Sequence, residues 1–240
     1  MKKLVALLLI LKININYSSE SIGYYSKGKL INSELVSTEN LPIKKLFLKR
    51  DRLYTSQIMF DALEIAGNYV KEQWPLTSIL QIGDLSAING GKVQGHNSHQ
   101  NGLDADLVYI RKNEFIQNEN ENQWAESFVI NGKISKNFDI EKNFDLFRYL
   151  NKKINVSRIF VDVVVKKELC KFTKKNNMDK NLEVIKTLRS LRPVDNHKTH
   201  FHLRLTCPKS DEKCIDQDKI PEGSGCNELN FIKNTHLIGC

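Results

Sequence analysis

The chain has 240 residues, which is long enough to bury a hydrophobic core without help from metals or disulfides. Its hydrophobic content of 40% and charged content of 27% are typical of a globular protein. The formal net charge of +8 would suit an anionic partner. Lysine and arginine nevertheless form no long run and no basic face interleaved with aromatic residues, so we do not expect nucleic acid to be that partner.

The first residues have the pattern of a secretory signal. Two lysines follow the initiating methionine, and an uninterrupted apolar stretch covers residues 4–11 before Lys12 ends it. The stretch is too short to cross a bilayer as a helix, so we expect no stable membrane span. We predict a signal peptide over residues 1–19 and export of the protein. A buried N-terminal strand is the alternative that the residues leave open.

The pattern changes after an N-terminal segment. Residues 20–50 are polar and lack a sustained hydrophobic period, so we expect a loosely structured lead-in there. From residue 51 to residue 240 we expect one domain. An apolar stripe predicts a helix that begins at Thr55 or Ser56, runs to about residue 72 and stops before Pro75.

The rest of the chain mixes helical and strand patterns. Further helices are predicted over residues 144–154, 164–171 and 182–191, and strands over residues 78–82, 103–110, 158–161 and 201–205. An exposed polar stretch at residues 112–123 is followed by a predicted hairpin that turns at Asn131-Gly132. Since there is no internal repeat and no second core, the predicted fold class is α+β. We expect a single domain with a central antiparallel sheet that carries the functional site and is flanked by helices.

The five cysteines favour disulfides over a thiolate metal site. None of them has C-x-x-C spacing, which metal-binding cysteines commonly show. In an oxidising compartment they would pair. Cys207 and Cys214 bracket a short polar loop and are the easiest pair to close. Cys170 with Cys226 is the next candidate pair, which leaves Cys240 over.

The histidines are concentrated in two short segments. Five of the six lie in residues 95–106 or residues 197–202, and only His236 lies elsewhere, where we assign it no role. Either segment alone would be a weak signal that arises by chance. Their joint presence, with carboxylates in the first segment, predicts a metal site rather than scattered surface or core histidines.

Strand geometry brings the two segments together. Side chains alternate between the faces of a strand, so His200 and His202 share one face of the last predicted strand. Asp104 and Asp106 share a face of the earlier strand by the same rule, and His99 precedes that strand. If the two strands are neighbours, the side chains of His99, Asp106 and His202 converge on one point.

Two neutral imidazoles, one carboxylate and one open position make a catalytic zinc site. Zinc lowers the pKa of a bound water to roughly 7, which supplies a nucleophile near neutral pH. A neighbouring base must still carry the proton from that water to the leaving amine. His200 is placed for this task, because it lies on the same strand face as His202 and two residues away.

Other polar residues of the two segments have open roles. For His96 and His197 the residues allow a metal ligand, an orienting neighbour of a ligand, a substrate contact or a satisfied polar group. Asp104 either accepts the ring N–H of a ligating histidine or points into solvent. We assign no role to Asp84 and Asp195.

The spacing H-x6-D followed by H-x-H resembles that of the zinc peptidases grouped with lysostaphin, the D-alanyl-D-alanine metallopeptidases and the hedgehog signalling domain. A closer resemblance, over roughly residues 50–230, is to the penicillin-insensitive murein endopeptidase family. Its motifs are Ile82-Gly83-Asp84-Leu85-Ser86, Gly90-Gly91, Gly95-His96-Asn97-Ser98-His99-Gln100-Asn101-Gly102-Leu103-Asp104-Ala105-Asp106, Arg158-Ile159-Phe160-Val161 with Lys167, Leu169 and Cys170, His197-Lys198-Thr199-His200-Phe201-His202-Leu203-Arg204-Leu205, and Cys207-Pro208.

The resemblance implies a periplasmic zinc metalloendopeptidase that hydrolyses peptide cross-links of peptidoglycan between D-alanine and diaminopimelate. The alternatives are a D,D-carboxypeptidase and a non-catalytic, zinc-containing cell-wall-binding domain. The chain also departs from the family, whose members carry tryptophans just before the second histidine segment. This chain has Pro193-Val194-Asp195-Asn196 there, so the groove for the peptide differs.

The resemblance also implies roles for individual residues. His99, Asp106 and His202 fall on the zinc-ligand positions, and His200 falls on the general-base position. His96 and His197 fall on additional active-site histidines, of which His96 is the one expected to approach the metal. The pairs Cys207–Cys214 and Cys170–Cys226 match the disulfides expected of relatives.

Overall fold

A computed structural model describes residues 18–36, 41–75 and 79–230. Residues 1–17 of the predicted signal peptide lie outside the described residues, as do His236 and Cys240. Four α-helices lie in the described ranges: α1 (Gln57–Gln73), α2 (Ile140–Lys153), α3 (Val163–Lys175) and α4 (Leu182–Ser190). Among these residues, no helix combines the length and apolarity that a membrane span requires.

The described strands are short, and half of them build one sheet. They are β1 (Glu20–Tyr24), β2 (Lys27–Ile31), β3 (Glu34–Leu35), β4 (Ile43–Lys45), β5 (Tyr54–Thr55), β6 (Leu80–Ile82), β7 (Asp104–Val108), β8 (Val129–Ile130), β9 (Lys133–Ile134), β10 (Val156–Val161), β11 (Leu191–Pro193) and β12 (His200–Leu205). The central sheet has the order β11-β10-β12-β7-β6-β4. The other strands pair as β1–β2, β3–β5 and β8–β9.

The central sheet is mixed, so the prediction of an antiparallel sheet was wrong in part. Its four inner strands are antiparallel, but β4 runs parallel to β6 and β11 runs parallel to β10. Parallel neighbours need a crossover, and the chain supplies one on each side. Helix α1 connects β4 to β6, while α3 and α4 connect β10 to β11. The prediction of a single α+β domain with a helix-flanked sheet is confirmed.

The described residues between 20 and 50 are more ordered than we predicted. Strands β1 and β2 form a hairpin, and β4 joins the edge of the central sheet. Tyr25, in the hairpin turn, is fully buried and donates its hydroxyl hydrogen to the carbonyl oxygen of Leu205, 2.7 Å away. Its ring also lies 4.2 Å from the guanidinium carbon of Arg204. These contacts are made with β12, far along the chain, and therefore leave no local hydrophobic period.

Helices cover one face of the sheet and leave the other face for polar residues. On β12, Phe201, Leu203 and Leu205 are buried in the hydrophobic core. The ring of Phe201 packs edge-on against Phe147 of α2 with centroids 5.0 Å apart. Because side chains alternate along a strand, His200, His202 and Arg204 point to the opposite face.

Several local predictions are confirmed. Helix α1 begins after Ser56 and ends at Gln73, just before Pro75. The hairpin β8–β9 turns at Asn131-Gly132, whose φ angles of 49° and 70° are the left-handed values that such a tight turn requires. Both predicted disulfides, Cys170–Cys226 and Cys207–Cys214, are formed.

Candidate metal centre

Strands β7 and β12 are antiparallel neighbours, as the convergence of the two histidine segments requires. Their register places His202 opposite Asp106 and Arg204 opposite Asp104. The shared face of the two strands therefore carries both segments' polar side chains. They lie on the side of the sheet away from α2.

The carboxylate of Asp106 is the centre of the site. Its Oδ1 lies 3.3 Å from Nε2 of His99, 3.4 Å from Nδ1 of His202 and 3.6 Å from Nε2 of His200. Burial alone would raise the pKa of Asp106, but the charges of His99 and His200 outweigh burial and hold it well below its usual range. The carboxylate is thus ionised at neutral pH.

Two atoms at this centre fit a metal ion. Asp106 Oδ1 and His99 Nε2 are both buried, and neither has a hydrogen-bond partner among the described residues. Leaving a buried polar group unpaired costs about 1–3 kcal/mol, and a bound cation would satisfy both atoms at once. Candidate ligand atoms of His96, His99 and Asp106 lie within 4.8 Å of one another. The residues present could therefore hold a metal.

The backbone turns sharply at His99 to aim its ring. His99 has a φ of 66°, and its backbone N–H donates to Oδ2 of Asp104 at 3.0 Å. Its ring Nδ1 lies 3.1 Å from the carbonyl oxygen of Leu85, which can only accept, so Nδ1 carries the hydrogen. The lone pair is then on Nε2, which faces Asp106.

A buried carboxylate orients His202 in the same way. Asp104 Oδ1 lies 2.8 Å from Nε2 of His202 and accepts a hydrogen bond from Nε of Arg204 at 2.7 Å. Burial alone would raise the pKa of Asp104, but Arg204 and His202 outweigh it and lower the pKa far below its usual range. The carboxylate therefore accepts a hydrogen bond from Nε2–H of His202. The lone pair of the ring is then on Nδ1, which faces Asp106. Asp104 therefore does not point into solvent but contacts the ring of a histidine; that this histidine is a metal ligand stays a prediction.

His96 approaches the centre from the more open side. Its Nδ1 lies 3.8 Å from Oδ2 of Asp106, and its Nε2 lies 2.9 Å from Oδ2 of Asp84. Asp84 also accepts hydrogen bonds from Arg50 at 2.8 Å and Arg52 at 3.3 Å. The sequence had given Asp84 no role, because its contact with His96 depends on the turn that follows β6.

The remaining two histidines lie beside each other next to Asp106. Nδ1 of His200 lies 2.9 Å from Oγ1 of Thr199, while its Nε2 faces Asp106. Burial lowers the pKa of His200 to about 4. Nδ1 of His197 donates to the backbone carbonyls of Val194 and Asp195, at 3.2 and 2.8 Å. The His197 and His200 ring centroids are 5.1 Å apart, so all the predicted site residues are brought together.

Trp124 is a site residue that sequence reasoning missed. Its indole stacks on the imidazole of His200 with centroids 4.5 Å apart and planes 13° from parallel. Phe47 meets the indole edge-on at 4.7 Å, and a Cβ atom on Gly83 would lie only 2.3 Å from it. Trp124 is one of two tryptophans and follows a polar stretch, where an aromatic residue is unexpected; that contrast was the available signal.

Comparison with known proteins gives a consistent result. The family model described as penicillin-insensitive murein endopeptidase matches residues 21–237. A penicillin-insensitive murein endopeptidase of Haemophilus influenzae is 29% identical over 212 residues, covering 86% of this chain and 70% of the relative. Proteins with that name from Yersinia pestis and Escherichia coli are each 28% identical, covering 87% of this chain and 74% of the relative.

Proposed function

This chain belongs to the penicillin-insensitive murein endopeptidase family, and we propose that it is a zinc-dependent peptidase that hydrolyses D-alanyl–diaminopimelate cross-links in peptidoglycan. The observation that carries the proposal is the convergence of three imidazole nitrogens on Oδ1 of Asp106, which is buried and has no hydrogen-bond partner among the described residues. The relatives are named murein endopeptidases, which supports peptidoglycan as the substrate.

In this proposal His99, Asp106 and His202 hold the metal. The atoms that face one another are two imidazole nitrogens, each with a lone pair, and a carboxylate oxygen. This donor set suits zinc. His96 contributes a further nitrogen at the open side, and Asp84 orients it. When bound, zinc supplies Lewis-acid chemistry, since it polarises the scissile carbonyl group and makes water a better nucleophile.

His200 serves as the general base. Burial lowers its pKa, so the ring is neutral at pH 7 and has a lone pair that can accept a proton. The contact of Nδ1 with Thr199 leaves Nε2 directed at the centre of the site. His200 takes the proton that the attacking water loses and delivers it to the nitrogen of the leaving amine.

His197 is the second catalytic histidine in the proposal. Its Nδ1 hydrogen is used by two backbone carbonyls, so Nε2 is the nitrogen left for substrate. Burial lowers the pKa of His197, which keeps this ring neutral as well. A neutral Nε2 beside His200 can accept a hydrogen bond from a peptide N–H or from the protonated base.

We place the enzyme in the periplasm, where peptidoglycan lies. Two disulfides support export, since such bonds persist in oxidising compartments. The pattern of the first residues supports it too, although residues 1–17 lie outside the described part of the chain.

The experiment that tests this function offers two substrates to the protein. Cross-linked muropeptide dimers and an uncross-linked pentapeptide ending in D-alanyl-D-alanine are incubated separately and followed by mass spectrometry. We expect dimers to fall to monomers while the pentapeptide keeps its terminal residue. Loss of the terminal D-alanine with intact dimers would make the chain a D,D-carboxypeptidase. No cleavage of either substrate would make it a non-catalytic binding domain.

Trp124 acts as a positioning residue for His200, and Gly83 provides a way to move it. The Cβ of Gly83→Ala would collide with the tip of the indole and push it off the imidazole. We expect kcat for dimer cleavage to fall about ten- to a hundredfold, since small displacements of a catalytic group have effects of that size. Bound metal should stay unchanged, and tryptophan fluorescence should report the movement.

A double-mutant cycle separates this effect from general damage. If Gly83→Ala acts through the indole, adding it to Trp124→Ala should cause no further loss of kcat. Fully additive losses would show that Gly83 affects catalysis by another route and would remove Trp124 as the intermediary.

A further inference from the structure

A cavity adjoins the metal centre. Its volume is about 610 Å³, within the range of about 300–1,000 Å³ that ligand pockets occupy. Its lining residues are Ser127, Asp162, Asp195, Asn196, Lys198 and Thr199. Thr199 connects it to the catalytic histidines, because its hydroxyl lies 2.9 Å from Nδ1 of His200. Apart from that contact and the backbone carbonyl of Asp195, which accepts from Nδ1 of His197, none of the six has a role in the proposed hydrolysis.

The cavity contains a buried carboxylate, one of whose oxygens accepts no hydrogen bond from the described residues. Asp162 is 4% exposed, and its Oδ1 accepts a hydrogen bond from the backbone of Val164 at the start of α3. In the described part of the chain, no hydrogen bond reaches Oδ2 and no salt bridge reaches the carboxylate. Burial, the largest influence, raises its pKa. An ammonium group in the cavity would pair with Oδ2 and offset that burial.

A cation lies on the same cavity. Lys198 is exposed and lines the cavity, and no salt bridge within the described residues engages it. Its positive charge partly offsets the effect of burial on the pKa of Asp162. Ser127 and Asn196 add neutral hydrogen-bonding groups to the lining. Asp195, which is exposed on the same lining, is a second carboxylate. A cavity with two carboxylates, one lysine and neutral hydrogen-bonding groups offers a partner to each charge of a zwitterion.

We propose that this cavity binds the free amino-acid end of a diaminopimelate residue, with its ammonium against Asp162 and its carboxylate against Lys198. The inference rests on the proposed function. A diaminopimelate side chain that is not cross-linked ends in an amine and a carboxylate on one carbon, and both are charged at neutral pH. Because the cavity adjoins His200, it would hold the stem residue next to the scissile D-alanine.

The test measures binding of an uncross-linked tetrapeptide stem to the zinc-loaded full chain by calorimetry. This peptide contains no cross-link, so its binding is read without turnover. A second peptide has lysine in place of diaminopimelate and keeps the ammonium but lacks the carboxylate. We expect the lysine peptide to bind at least about tenfold more weakly, as loss of a charge-assisted hydrogen bond implies.

Three variants assign the preference to the cavity. Lys198→Ala should make the two peptides bind equally, whereas Lys209→Ala, at an exposed lysine outside the cavity lining, should leave the tenfold preference intact. Asp162→Asn keeps a side-chain oxygen that accepts from the backbone N–H of α3, and it should weaken the binding of both peptides about tenfold.

Equal binding of the two peptides by the unchanged protein, or a preference that survives Lys198→Ala, would overturn the inference. The Lys198 comparison does not depend on the Asp162 variant, so it remains decisive even if Asp162→Asn fails to fold. Failure of dimer cleavage would instead refute the proposed function, so the two failures are distinguishable.

Discussion

Replacing His202 by alanine should abolish metal binding and peptidase activity together. His202 Nδ1 is one of two imidazole nitrogens within 3.4 Å of Asp106 Oδ1, and its loss removes one of the three ligands that hold the ion in the proposed function. Loss of a residue that hydrogen-bonds to a metal ligand typically lowers metal affinity or activity 10–100-fold, so loss of the ligand itself should lower them more. We expect kcat/KM for dimer cleavage to fall at least about a thousandfold, which corresponds to roughly 4 kcal/mol.

Elemental analysis of the purified variant, beside its dimer cleavage rate, checks this expectation. His236→Ala is the matched control, because His236 is the one histidine outside both segments, and this variant should keep both metal and activity. A His202→Ala protein that retains a full equivalent of metal would remove His202 from the ligand set.

Replacing His200 by alanine should separate chemistry from metal binding. His200 Nε2 lies farther from Asp106 Oδ1, at 3.6 Å, than the nitrogens of His99 and His202, and the general-base role does not require it to hold the metal. We expect kcat to fall about 10²- to 10⁴-fold, the range for loss of a general base, while bound metal stays at the level of the unchanged protein.

Steady-state kinetics with metal analysis on the same sample tests the role of His200. Added imidazole should restore part of the turnover, because the space left beside Trp124 can admit a free ring. Unchanged kcat would remove His200 as the base. Parallel loss of metal and activity would make it a ligand instead.

The convergence of the two histidine segments was predictable because it depends on a simple rule. Alternation along β12 places His200 and His202 on one face, and alternation along β7 does the same for Asp104 and Asp106. The pairing of these strands was the one condition that the sequence left open. Its fulfilment explains why the site was anticipated in more detail than the surrounding fold.

The features that escaped prediction depend on contacts between distant parts of the chain. Strands β4 and β11 have three residues each, too few to show a period, and they are strands because neighbours pair with them. Tyr25 orders the hairpin β1–β2 through β12, about 180 residues away. Trp124 and Asp84 reach the histidines from loops whose course no local pattern specifies.

We propose that one metal ion, held around Asp106, makes this protein a peptidase. The most direct test strips the protein with a chelator, removes the chelator and titrates zinc back while following cleavage of muropeptide dimers. We predict no cleavage by the stripped protein, then a linear rise that stops at one equivalent of zinc per chain. Full cleavage by the metal-free protein, or a stripped protein that zinc does not reactivate, would contradict the claim.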